Sequence, residues 1–259
     1  MNLHAVTAGS GADLVLVHGW GMNNSVWSRI LPSLTQSYRV TLIELPGHGG
    51  SSYESDRGGL DAWVNACLEI APERANWMGW SLGGQIALRA ALVAPDRFAR
   101  LMLVCSSPRF IRAYDWPHAM LENTLHQFAG ALKRDPQQTL ARFLSLQVQG
   151  DELAREALRL LRHEVAQHPA PDPLALEHGL ELLLTVDLRE QLNCLKCPSF
   201  WLLGGKDALV PGSVEQDLIN LHIPEAGFRC LKGCAHAPFI SHPAQSLELV
   251  NRFFGTTNE

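Results

Sequence analysis

Six short, nearly continuous apolar runs constrain this chain more than any other feature: Leu14–Val17, Val40–Ile43, Trp77–Met78, Leu101–Val104, Phe200–Leu203 and Phe228–Leu231. Runs without polar alternation suit strands covered on both faces, as in a mostly parallel sheet. Segments with helical spacing stand between them, at Leu60–Ala71, Leu82–Ala94 and Val214–Leu221. Strand and helix in alternation predict a doubly wound α/β sheet flanked by helices. The 259 residues, 46% hydrophobic and 18% charged, suffice for one large core and exclude a disordered or fibrous chain.

The rhythm breaks between about Ser107 and Asp187. No buried-strand pattern appears there, and helical periodicity is punctuated by Pro117, Pro136, Gly150, Pro169, Pro171 and Pro173. We read residues 108–187 as an all-helical lid inserted into a core formed by 1–107 and 188–259. It is expected to sit over the carboxyl ends of the strands, where open α/β sheets bind ligands.

A net charge of −5 argues against general attraction to nucleic acid or to an anionic membrane. The first basic residue is Arg29, so a positively charged leader is not expected, and no apolar run reaches the roughly 18 residues of a span. The expected compartment is the cytoplasm, and the expected state a monomer. Six cysteines are too sparse for a disulfide scaffold. Cys194, Cys197, Cys230 and Cys234 could in principle hold zinc, but Cys197 leads into a buried strand and Cys230 sits inside another, where alternate side chains point to opposite faces. Free thiols and no metal are expected.

The strongest chemical signal is Gly79-Trp-Ser81-Leu-Gly83-Gly84, after an apolar run and before a helical segment. A serine between two small residues at a strand-to-helix turn is a nucleophile elbow, its hydroxyl raised above the sheet. Taken alone, the same letters could be a Gly-rich turn with a serine N-cap. A hydroxyl needs an imidazole to take its proton and a carboxylate to orient that imidazole. Asp207 follows the Phe200–Leu203 run, and His236 lies in the turn after Phe228–Leu231. The order Ser81, Asp207, His236 is the one this motif expects. Asp187, Asp217, His222 and His242 lack that setting.

Attack on an ester also needs N–H donors for the oxyanion. One is expected from Leu82, the other from Trp20 in the His18-Gly-Trp-Gly21 loop after the first run. His18 precedes the serine and is read as a brace for that loop rather than as the base.

With Leu45-Pro-Gly-His-Gly-Gly-Ser51 added to these motifs, the chain resembles the α/β-hydrolase superfamily along almost its whole length. Arg142-Phe-Leu-Ser-Leu-Gln147, Thr185–Arg189 and Ala235–Pro243 narrow the likeness to esterases of biotin synthesis that act on methyl esters of pimeloyl groups borne by acyl carrier protein. The resemblance implies an α/β-hydrolase fold with a helical lid, carboxylesterase activity and no cofactor. It also implies an acyl site beside Trp20, Ser81, Leu82, Phe143, Leu144, Ser145, Leu146 and Gln147. Phe110, Trp116 and Phe128 would add apolar surface or simply fill the lid.

Charge is unevenly spread. Residues 109–162 hold eight Lys or Arg against six Asp or Glu, whereas the rest of the chain has an excess of acid. Arg155, Arg159 and Arg162 fall on one helical stripe, opposite Leu153, Ala157, Leu160 and Leu161. By resemblance, Arg142, Arg155 and Arg159 would receive the acidic carrier protein, with Gln138 standing where a further arginine was expected. Two alternatives stay open for the stripe and the site. The arginines could be a solvated face paired with Glu152 and Glu156, and the triad could serve a broad-specificity carboxylesterase, a C–C hydrolase or an idle ligand receptor.

Overall fold

The computed structural model describes residues 1–255, so the last four residues of the second core segment lie outside the described residues. All six apolar runs are strands: β2 (Ala12–Val17), β3 (Tyr38–Ile43), β4 (Ala75–Trp80), β5 (Phe98–Val104), β6 (Ser199–Gly204) and β7 (Ala226–Leu231). A further strand, β1 (Ala5–Ala8), joins them, and the sheet order is β1-β3-β2-β4-β5-β6-β7. Only β1 runs antiparallel to its neighbour. Leu14 to Val17 and Leu101 to Val104 are fully buried, as their patterns require. β7 departs from the expectation of burial on both faces: it is an edge strand with Arg229 exposed and the rest half-buried.

The helices are α1 (Leu31–Leu34), α2 (Leu60–Ile70), α3 (Leu82–Val93), α4 (Glu122–Arg134), α5 (Pro136–Leu146), α6 (Ala154–Ala166), α7 (Pro173–Thr185), α8 (Val214–Asn220), α9 (Pro238–Ser241) and α10 (Pro243–Phe254). Helices α4 to α7 all lie between β5 and β6, where the strand rhythm breaks. Two of the prolines that punctuate this stretch start helices. Pro136 opens α5 behind Asp135, whose carboxylate accepts from Gln138 N–H, and Pro173 opens α7 behind Asp172, which caps Leu174 and Ala175. Proline is tolerated at that position because its missing N–H would have had no partner there.

This helical stretch is tied to the loops at one edge of the sheet. Trp20 Nε1–H, beyond β2, donates to Leu176 O on α7 at 2.8 Å. His236 N–H, beyond β7, donates to Gln147 O at the end of α5 at 2.9 Å. Among the described residues no helix is long and apolar enough to cross a membrane, and all six cysteines are free. Cys194, Cys197, Cys230 and Cys234 do not converge on a common point.

Candidate active site

Between β4 and α3 the backbone turns so sharply that Ser81 adopts φ 55°, ψ −122°, a region that L-residues occupy only under constraint. The flanking glycines explain how the turn fits. A Cβ on Gly79 would stand 2.5 Å from Gly83 O, and one on Gly83 would stand 2.3 Å from His18 O. Ser81 itself is pinned through its backbone: its N–H donates to Val104 O at 3.0 Å, and its carbonyl accepts from Gly84 N–H and from Ser106 Oγ at 2.7 Å.

Asp207 and His236 meet as their chain order predicts. His236 Nδ1 lies 2.7 Å from Asp207 Oδ2, with both side chains buried. The other oxygen of Asp207 accepts from the N–H groups of Leu209 and Val210 at 2.7 and 2.9 Å. With no free lone pair facing Nδ1 except on a carboxylate, the ring carries its proton on Nδ1 and leaves Nε2 as an acceptor. Nε2 is buried and has no hydrogen-bond partner. Trp80 connects this pair to the elbow, because its Nε1–H donates to His236 O at 2.8 Å and its ring lies 5.7 Å from the imidazole.

The two candidate oxyanion donors are the backbone N–H groups of Trp20 and Leu82. The hydrogen bonds that hold these turns run from Met22, Ser81, Gly84 and Gln85, and the N–H groups of Trp20 and Leu82 take no part in them. Gly19 brings the Trp20 loop up to the elbow: a Cβ on it would stand 3.1 Å from Ser81 Cβ. The Trp20 ring is wholly buried and meets Phe143 edge-on at 4.7 Å.

His18 is a brace, as its position before the serine suggests. Its Nδ1–H donates to Gly19 O and its Nε2 accepts from Leu45 N–H. His48, from the Leu45–Ser51 motif, does the same job next door, donating to Pro46 O and accepting from Gly21 N–H. Burial, helped for His18 by the neighbouring His48, lowers their pKa values to about 3 and about 4. Both therefore stay neutral in the fold, while the unfolded chain protonates them near pH 6.5. The unfolded state then binds more protons between pH 6.5 and pH 4, so stability falls on acidification through that window. Each ring is expected to add about 1.4 kcal/mol per pH unit to the slope. Denaturant unfolding at several pH values measures it, and His48→Asn should flatten it by one ring's share.

The competing residues are engaged elsewhere. Burial works to raise the pKa of Asp187, but hydrogen bonds from Arg189 and Arg109 hold it down at about 2. Asp217 binds His118, and His222 is exposed beyond α8, its Nδ1 on Asn220 O. His242 lies 3.9 Å from Asp151.

The Phe143–Gln147 stretch divides between two faces of α5. Phe143 and Gln147 are buried toward Trp20 and the His236 turn, and Leu144 is also buried. Ser145 and Leu146 instead face a groove between α5 and α6, together with Val148, Ala154 and Leu158, and Arg142 and Arg155 stand at its rim. Arg155 and Arg159 are exposed and make no ion pair among the described residues, while Glu156 pairs with Arg29. Ala157 and Leu161 are buried on the other side of α6. Leu153 is not on that apolar face; it precedes the helix and is exposed, because Asp151 starts the helix after it. Trp116 is buried under the Arg189 guanidinium and Phe128 packs on Phe143, so both serve the interior of the helical stretch.

One neighbour of the pair was not legible in the sequence. Cys105, in a left-handed conformation at the end of β5, brings its sulfur within 4.8 Å of ligand atoms of Asp207 and His236. These three could approach a metal, but His236 Nδ1 and Asp207 Oδ2 are already engaged with each other. Burial, and secondarily the Asp207 charge, raises the Cys105 thiol well above its ordinary value and keeps it protonated. It serves as a neutral neighbour of the carboxylate.

Residues 14–243 match the α/β hydrolase fold family. The chain belongs to the α/β-hydrolase family. The pimeloyl-[acyl-carrier protein] methyl ester esterase of Photobacterium profundum is 42% identical to this α/β hydrolase over 95% of this chain and 96% of the relative. The protein of the same name from Nitrosomonas europaea is 41% identical over 94% and 96%. Among solved structures, an esterase from Exiguobacterium antarcticum superimposes with a TM-score of 0.88 at 18% identity, over 98% of this chain and 96% of that one. A bromoperoxidase from Bacillus anthracis does so with a TM-score of 0.88 at 21% identity, over 98% and 95%. At those identities the solved structures speak for the fold alone.

Proposed function

We propose that this α/β hydrolase is a cytoplasmic serine carboxylesterase that hydrolyses the methyl ester of pimeloyl-[acyl-carrier protein], releasing methanol, in biotin synthesis. The observation that carries the reading is the near full-length likeness to relatives of that name, in a chain whose Ser81 elbow adjoins a buried His236–Asp207 pair.

Ser81 Oγ attacks the ester carbonyl and passes its proton to His236 Nε2, the ring atom left without a partner. Asp207 Oδ2 holds the Nδ1 proton and offsets the charge that forms on the ring. The N–H groups of Leu82 and Trp20 receive the oxyanion. His236 then gives its proton to departing methanol, and afterwards removes one from the water that frees the acid. None of these steps asks for a metal or organic cofactor.

Helices α4 to α7 act as the lid, and the groove between α5 and α6 suits capture of an acidic carrier. Its floor is apolar, Arg142 and Arg155 stand at its rim, and Arg155 and Arg159 have no counter-ion among the described residues. Unpaired arginines favour recruitment of acidic surfaces and make it salt-dependent.

The test compares kcat/KM for methyl pimeloyl on acyl carrier protein with that for free dimethyl pimelate, at low and high salt. The carrier is expected to raise kcat/KM by about ten-fold or more, near 1.4 kcal/mol of transition-state binding, with salt or Arg155→Glu erasing the gain. Equal rates for the two substrates would make the protein a general esterase and the arginines a solvated face.

A further inference from the structure

The turn that carries His236 is held from two sides. Its carbonyl accepts from Trp80, next to Ser81. Its amide side is gripped by the helical insertion: His236 N–H donates to Gln147 O at 2.9 Å, and Ala235 N–H donates to Asp151 Oδ2 at 2.8 Å. Glu152 N–H reaches back to Gly233 O at 3.3 Å. The insertion therefore contacts the turn at Gly233, Ala235 and His236 through one short segment, residues 147–152.

Asp151 supplies the side-chain hydrogen bond in that grip, and its surroundings are unusual for a loop residue. Its side chain is 1% exposed. Oδ2 also accepts from Ser241 Oγ at 2.7 Å, at the end of α9, while Oδ1 accepts from Leu153 N–H at 2.8 Å and starts α6. A buried carboxylate keeps its place only with its lone pairs engaged, and here each donor belongs to a different piece of the structure: the histidine turn, α9 and the residue that precedes α6. An acid ahead of α6 is an ordinary helix-start signal, but no local sequence pattern calls for its bonds to Ala235 and Ser241.

We propose that Asp151 is a positioning residue for hydrolysis, setting the backbone of His236 from the insertion while Asp207 sets its ring from the core. The inference rests on His236 being the base, as read above. Arg155 follows Asp151 by one helical turn, so the segment that presents arginines to a carrier is the segment that steadies the histidine. Proton transfer falls steeply when the base is misplaced, by about 100-fold for 1 Å. Loss of the Asp151 grip should thus appear in kcat rather than in KM.

The experiment uses the full chain and p-nitrophenyl butyrate, an ester that needs no carrier, at 15 °C and with melting temperatures recorded alongside. Asp151→Ala is expected to lower kcat by about 10- to 100-fold with KM within about 3-fold. Asp151→Asn can keep its oxygen on Ala235 N–H and give up only the α6 start, so it should hold kcat within about 3-fold of the parent. Should the alanine variant fail to fold, Asp151→Ser, whose shorter side chain withdraws from Ala235, is expected to show the same loss. Full kcat in the alanine or serine variant with only a lower melting temperature would overturn the proposal, as would a change confined to KM. His236→Ala in the same assay separates the two readings. If it is inactive while Asp151→Ala is normal, only the positioning role fails; if it is active, the assignment of the base fails first.

Discussion

Ser81→Ala is expected to lower kcat by at least about 10⁴-fold while leaving the melting temperature within a few degrees of the parent. The loss is that large because members of a nucleophile, base and acid set act as a unit, and the remaining rate comes from the oxyanion donors and substrate binding alone. The fold is spared for a local reason. Among the described residues the hydrogen bonds that pin Ser81 use its backbone, to Val104 O, Gly84 N, Gln85 N and Ser106 Oγ, and its Oγ makes none of them. Alanine keeps the Cβ that packs against Gly19 and meets the same backbone strain. Circular dichroism with turnover of p-nitrophenyl butyrate measures both quantities. Residual activity above a few per cent would overturn Ser81 as the nucleophile.

Asp207→Asn should be nearly as damaging, with kcat reduced by about 10³- to 10⁴-fold and KM little changed. The reason is orientation rather than lost volume. Leu209 and Val210 both point N–H groups at one oxygen of residue 207, so the asparagine oxygen must take that place. Its NH₂ group then faces His236 Nδ1, where Oδ2 accepted a proton before. A donor there makes Nδ1 the acceptor and moves the ring proton to Nε2, the tautomer that cannot receive a proton from serine. The buried imidazolium would also lose its counter-charge. A variant within ten-fold of the parent would mean that the carboxylate neither sets the tautomer nor stabilises the charged ring.

How far these features were legible depends on whether the signal is local. Leu14–Val17, Val40–Ile43, Leu101–Val104 and Phe200–Leu203 announce themselves because a strand covered on both faces must be apolar at nearly every position. β1 carries no such mark: all four of its residues are exposed, and it exists because the backbone of β3 offers an antiparallel partner. β7 shows the converse, an apolar run that ends as a half-buried edge. The elbow is legible because Gly79 and Gly83 are demanded by contacts only a few residues away or across one loop. Asp207 and His236 are legible because each follows a strand whose end faces the elbow.

The amino-acid order by itself determined the sheet of alternating strands, the helical stretch between β5 and β6, and which serine, acid and histidine stand at strand ends. It could do so because strand burial, sharp turns and chain order are written within a few residues of each site. Only the tertiary structure decided the rest: that Asp151 reaches Ala235 across 84 positions, that Cys105 lies against Asp207, that Phe143 turns inward while Leu146 turns to a groove, and that Arg155 finds no acid among the described residues. Those partners are chosen by packing between elements distant in the chain, where hydrogen-bond direction and excluded volume select among side chains that local periodicity leaves equivalent.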